Sequence, residues 1–188
     1  MSDLVRVAVD AMGGDYAPVE PVKGAVEAVN ADERVKVQLV GQVDVIEKEL
    51  QKYTYRKEGV EIVPATEIIE TGEPPVNAIR HKKDSSIVVG MKKVRYGEAD
   101  AFVSSGSTGA VLVGGQTIVG RIKGVERPPL APLIPTKDGV SLLLRSGYQI
   151  LLQFPSQSEI HPGNPLPDHL QRLSPWLLHS DLRLIHPQ

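Results

Sequence analysis

Between Val5 and Leu144 short apolar runs of β type alternate with segments of helical periodicity, and few folds accommodate such an alternation. Val5 to Val9 reads as a strand, and Pro18 opens a helix whose face Val22, Ala25, Val26, Val29 repeats at steps of three and four. A second strand spans Val35 to Gly41, Asp44 is placed to cap a helix from Val45 to Gln51, and Val60 to Val63 forms a third strand. Two helices are expected next, over 75–81 and 85–96, the second capped by Asp84 and stopped by Gly97. A strand from Ala101 to Ser104 then feeds a helix running to about Val119, and further strands are expected over 130–134 and 140–144. Four βα units in series imply right-handed crossovers and a mainly parallel sheet covered on both faces, an α/β fold.

After Leu144 this pattern ends. The chain holds 21 Lys and Arg and 23 Asp and Glu, of which only Arg145, Arg172, Arg183, Glu159, Asp168 and Asp181 lie in the tail. Prolines at 155, 162, 165, 167 and 175 forbid a long helix there, and no strand alternation extends past Phe154. Two regions follow: an α/β region over 1–144 and an irregular tail over 145–188. The tail histidines His161, His169, His179 and His186 are spaced by 8, 10 and 7, with no pair one helical turn apart, so no metal site is expected. A net charge of -2 offers no general basic surface to nucleic acid. The absence of cysteine excludes disulfides and a thiol nucleophile, and no segment reaches 18 uninterrupted apolar residues. A soluble, cytoplasmic protein is expected.

Two glycine-rich loops end strands at the same sheet edge: Asp10-Ala11-Met12-Gly13-Gly14-Asp15 and Ser104-Ser105-Gly106-Ser107-Thr108-Gly109. The second enters a helix, and backbone N–H groups left uncovered there favour an anion such as phosphate. A tight, well-capped strand-to-helix turn would use the same residue types. Ligands of open parallel sheets bind outside the carboxyl ends of the strands, so the two loops can share one cleft. Neither has the G-x-G-x-x-G spacing of a dinucleotide site nor the lysine of a P-loop, so no cofactor is implied. Asp10 and Asp15 could position a base or a metal, or simply form turns. Arg80-His81-Lys82-Lys83-Asp84-Ser85-Ser86 could set cations beside a phosphate or an acidic carrier, or be a solvated helix junction.

These residues carry a resemblance. Val7 to Pro18, Arg80 to Ser86, Ser104 to Ala110 and Gly120-Arg121-Ile122-Lys123-Gly124 with Arg127-Pro128 are similar, in order, to motifs of the bacterial phosphate acyltransferase family (PlsX type). The resemblance runs from about Val5 to Leu144, roughly the N-terminal half of such an enzyme. It implies a Rossmann-like αβα sandwich and a homodimer. It also implies transfer of a fatty acyl group from acyl carrier protein to inorganic phosphate, giving acyl phosphate for phospholipid synthesis. A membrane-associated glycerol-3-phosphate acyltransferase partner and peripheral attachment at the inner face of the membrane come with it. Gly13, Gly14, Ser105, Gly106, Ser107, Thr108 and Gly109 are then the phosphate-binding candidates, joined by Arg80 and Lys82; Asp10, Asp15 and Lys82 are the catalytic candidates. Family members continue past Leu144 into an Asp-containing Gly-Ala-Asn loop, whereas Arg145-Ser146-Gly147-Tyr148 follows here. A truncated or frame-shifted chain of impaired activity is therefore expected. Two alternatives stay open: a non-catalytic phosphate-binding or interaction module, and a phosphotransacetylase-like enzyme acting on acyl-CoA.

Overall fold

A computed structural model describes residues 4–123 and the two strands 133–136 and 139–142, so the tail beyond them, with its four histidines, lies outside the described residues. The chain divides at Gly120 into two units. In the first, β1 (Val5–Asp10), β2 (Val35–Gly41), β3 (Val60–Pro64) and β4 (Ala101–Val103) form one sheet in the order β3-β2-β1-β4. All three pairings are parallel, with Val7 opposite both Val37 and Ala101 and Val9 opposite both Leu39 and Val103. The connections are α1 (Val19–Ala31), α2 (Val43–Leu50), and the pair α3 (Pro75–His81) and α4 (Ser86–Arg95). After β4 comes α5 (Thr108–Gly114), continued by one π-helical turn, Gly115–Val119.

Alternation along each strand sends neighbouring side chains to opposite faces. Val37 and Leu39 pack with Val22, Ala25, Val26 and Val29 of α1 and Ile46 and Leu50 of α2. The α1 face is the one its three-four spacing specifies, and each fully buried valine there contributes roughly 1.5–3 kcal/mol. On the other face, Ala8, Val40 and Val63 meet Val89 and Val94 of α4. Ile79, Ile87, Val88 and Met91 close a third cluster with Ala110 of α5. At Gly90 α4 approaches so closely that a Cβ would lie 2.5 Å from Cε2 of Phe102, which only glycine permits.

Two helix caps differ from the sequence expectation. Asp44 is not the N-cap of α2: Gln42 precedes that helix and Asp44 lies inside its first turn, where its charge favours the dipole. Asp84 does not cap α4 either. Ser85, fully buried, accepts from Val88 N, while the Asp84 carboxylate turns to the N–H and hydroxyl of Thr66 at 2.9 and 2.5 Å. The expected stop at Gly97 is present: with φ +72 it lets Gly97 N and Glu98 N return to the carbonyls of Val94 and Lys93. In the second unit, β5 (Leu133–Thr136) and β6 (Gly139–Leu142) pair antiparallel as a separate hairpin.

Candidate phosphate-binding site

Strand order supplies the first condition for a site. The chain moves outward from β1 through β2 to β3, then returns across the sheet to place β4 on the other side of β1. Crossovers diverge between β1 and β4, and a crevice opens at such a switch point beside the strand carboxyl ends. The loops 10–15 and 104–109 both leave the sheet there.

Asp10 and Ser104 stand one step beyond the paired residues Val9 and Val103 and so lie side by side. The Ser104 hydroxyl donates to Asp10 Oδ2 at 2.7 Å and accepts from Gly106 N at 3.0 Å. The other carboxylate oxygen of Asp10 accepts from Met12 N at 3.1 Å. Asp10 is 1% exposed, so one buried carboxylate braces both loops. The Ser105 hydroxyl adds a second strut by donating to the Gly13 carbonyl at 2.8 Å. A Cβ on Gly13 would collide with the Asp10 carboxylate and lie 2.9 Å from Gly106 N; one on Gly106 would lie 3.1 Å from Gly13 Cα. The loops therefore pack glycine against glycine. Gly14 has φ +99, open to glycine at no steric cost.

Several anticipated donors are already used. Gly106 N serves Ser104, the Ser105 hydroxyl serves Gly13, and the buried Ser107 hydroxyl is the N-cap of α5, accepting from Ala110 N at 3.3 Å. Among the described residues, the backbone N–H groups of Gly13, Gly14, Ser107, Thr108 and Gly109 have no acceptor. These donors, with the exposed Thr108 hydroxyl, are what the crevice can offer an oxyanion. Asp15 is exposed at the rim of the first loop. Lys82 is not brought to the loops by any bond: its ammonium donates to the Ile68 carbonyl at 2.6 Å and to Glu73 Oε1 at 2.5 Å. That hydrogen bond from Lys82 holds the Glu73 carboxyl below its ordinary range. Arg80 is exposed in the last turn of α3. Pro75, at the other end of α3, lies against the first turn of α5, 2.6 Å from where a Gly109 Cβ would stand. Ser104 is a site residue that its local sequence does not mark. Its signal is positional, a hydroxyl one step past β4 and level with Asp10, the last residue of the neighbouring β1.

Beside the loops, a groove of about 330 Å³ runs between α1 and β4, lined by Val7, Val9, Ala25, Ala28 and Val103 and ending at Ser104 and Ser105. No described helix is long and apolar enough to cross a membrane, and the described residues hold no group of three metal-ligating side chains.

Residues 5–151 match the family model FA_synthesis, described as a fatty acid synthesis protein. A phosphate acyltransferase of Clostridium kluyveri is 45% identical over 166 residues, covering 85% of this chain and 49% of the relative. The chain belongs to the phosphate acyltransferase family. The same-named protein of Alkaliphilus oremlandii is 49% identical over 144 residues, covering 76% of this chain and 42% of that one. The phosphate acyltransferase of Thermoanaerobacterium thermosaccharolyticum is 48% identical over 143 residues, 76% of this chain and 41% of that one. The chain thus spans about half the length of the curated phosphate acyltransferases it matches. Among solved structures, a phosphotransacetylase from Streptococcus pyogenes superposes with a TM-score of 0.50 at 13% identity, covering 75% of this chain and 46% of that one. This likeness establishes the shared α/β fold. Both glycine loops and the segment Arg80 to Ser86 fall inside the family-matched stretch.

Proposed function

We propose that the crevice between β1 and β4 holds the inorganic phosphate that attacks an acyl thioester. A phosphate oxygen adds to the thioester carbonyl carbon, the C–S bond breaks, and the sulfur leaves as thiolate to take up a proton, giving acyl phosphate and a thiol. Such a reaction needs no serine or cysteine nucleophile, because phosphate supplies it. What the protein must do is hold a multiply charged anion in a fixed place and stabilise the developing oxyanion. The observation that carries this reading is the pair of braced glycine loops whose Gly13, Gly14, Ser107, Thr108 and Gly109 N–H groups are unpaired at the switch point. The apolar groove ending at Ser104 and Ser105 supports a long-chain acyl donor rather than an acetyl one.

The donor in this proposal is acyl carrier protein, and the product serves phospholipid synthesis through a membrane-associated glycerol-3-phosphate acyltransferase. A cytoplasmic homodimer, peripheral at the inner face of the membrane, fits that role. Calorimetric titration with inorganic phosphate tests the site. The wild-type chain is expected to bind, and a Ser107→Asp, Thr108→Val variant to lose most of the binding; equal binding by both would remove the loops from the account. Acyl phosphate formation, assayed with acyl carrier protein and with acyl-CoA as donors, separates the proposed activity from a phosphotransacetylase-like one. Phosphate binding with no product from either donor would favour a binding module.

A further inference from the structure

Although the chain is net acidic, six of its 21 Lys and Arg fall between Arg80 and Gly97, with Asp84 the sole acidic residue there. Two of the six are neutralised: Lys82 pairs with Glu73 and Lys93 with Glu98. Arg80, Lys83, Lys92 and Arg95 make no ion pair among the described residues. Asp84 is turned to Thr66.

The four cations are neighbours in space. Lys83 Nζ donates to the Ile79 carbonyl at 3.1 Å, next to Arg80, and Lys92 Nζ donates to the Lys83 carbonyl at 3.3 Å. Arg95, one turn after Lys92 on α4, donates to the Val119 carbonyl at 3.1 Å. Arg80, Lys83 and Arg95 are exposed and Lys92 half-buried. Each main-chain bond uses one donor and leaves the rest of the ammonium or guanidinium for a partner. Closing helix C-termini explains why these cations are held. Only Lys92 feels a carboxylate, its charge lowering Asp84 without an ion pair, and Arg80, Lys83 and Arg95 have no acidic partner among the described residues.

We infer that the α3–α4 face is the docking surface for an acidic protein partner, one that presents carboxylates at fixed spacing. Resting on the phosphate acyltransferase reading, that partner is the acyl carrier protein. Three of the four cations are pinned to the main chain, which suits a rigid array of carboxylates; fluid lipid headgroups need no such fixing. The strip is also placed for delivery. α3 starts at Pro75 against the first turn of α5 and ends beside Arg80, about 9 Å along its axis. A thioester arm carried by a protein docked there would extend along α3 toward the loops.

The test is binding of purified acyl carrier protein to the 188-residue chain by biolayer interferometry at low and high salt. Three variants accompany it: the triple Lys83→Glu, Lys92→Glu, Arg95→Glu, which leaves the phosphate candidate Arg80 in place; the milder pair Lys83→Glu, Lys92→Glu; and a control, Lys23→Glu, Lys48→Glu, Lys57→Glu, changing exposed lysines elsewhere. Wild type and control should bind alike and weaken with salt, the triple variant should lose affinity about tenfold or more, and the pair should fall between. Calorimetric phosphate titration on each protein keeps the two proposals apart. Retained phosphate binding with lost carrier binding in the triple variant supports docking on this face, whereas absent phosphate binding in wild type counts only against the site. Equal carrier binding by all four proteins, equal loss in the control, or no carrier binding by wild type would overturn the inference. So would strip-dependent binding of vesicles of equal parts phosphatidylglycerol and phosphatidylcholine without carrier binding, which would make the face a lipid contact.

Discussion

Ser104 Oγ lies 2.7 Å from Asp10 Oδ2, and this one bond joins the two loops at the place where β1 and β4 end side by side. Asp10 is a brace rather than an exposed base, since its oxygens already serve Met12 N and Ser104 and its side chain is buried. Asp10→Ala should destabilise the fold by about 1–3 kcal/mol, because it leaves buried donors without an acceptor. Ser104→Ala should cost about 0.5–1.5 kcal/mol. In urea unfolding the double variant should show a coupling of at least about 0.5 kcal/mol. Strict additivity would mean that the two side chains do not act together.

Glycines at two positions should respond in opposite directions. Gly13→Ala forces a methyl into the Asp10 carboxylate and against Gly106 N, so the loops must part and phosphate binding should fall at least tenfold. Gly24 sits in mid-α1 with nothing within 4 Å of where its Cβ would stand, and Gly24→Ala should raise stability by about 0.5–1 kcal/mol. Calorimetry for the first and thermal unfolding for the second check both. Unchanged phosphate affinity in Gly13→Ala would separate the close packing of the loops from binding.

Periodicity made the layers readable, because burial of an apolar stripe is local to each element: Val22, Ala25, Val26 and Val29 are buried along α1 as their spacing requires. Gly97 was readable for a similar reason, as a positive φ is a property of the residue itself. Polar partners were harder. Asp84 is next to a helix start in sequence, yet Thr66, brought beside it by the fold, captures its carboxylate and leaves the cap to Ser85. Gly106 N and the Ser105 hydroxyl were expected at the ligand, but Ser104 and Gly13 reach them first. Strand order, and with it the switch point between β1 and β4, follows from long-range pairing that no local spacing encodes.

Lys82 offers a direct contrast between the sequence expectation and the geometry. With its ammonium held by Glu73 and the Ile68 carbonyl, it fastens the segment before α3. Lys82→Met should cost about 0.5–2 kcal/mol and free that segment to faster amide exchange, with phosphate affinity changed less than about threefold. A tenfold loss of phosphate binding at unchanged stability would instead return Lys82 to the site.

Acid sensitivity should be traceable to individual carboxylates. Hydrogen bonds from Arg34 hold Asp32 down to about 2, and hydrogen bonds from Thr66 and Arg6 lower Asp84 and Asp100. Each group is more acidic folded than unfolded, so its stabilisation is complete above the ordinary carboxylate range near 4 and is lost as pH falls through the folded value. Thermal unfolding midpoints should therefore be level from pH 7 to about 4.5 and then decline, with the Asp32 share lost progressively between about pH 4 and pH 2. Because Asp32 and Arg34 are solvent-accessible, 1 M salt should blunt that share. Carboxyl NMR titration identifies the source: Arg34→Gln removes the side-chain bonds but keeps the residue-34 N–H bond, so Asp32 should rise clearly from about 2 while staying below its ordinary value. An Asp32 that titrates near 2 without Arg34 would assign the shift to another cause.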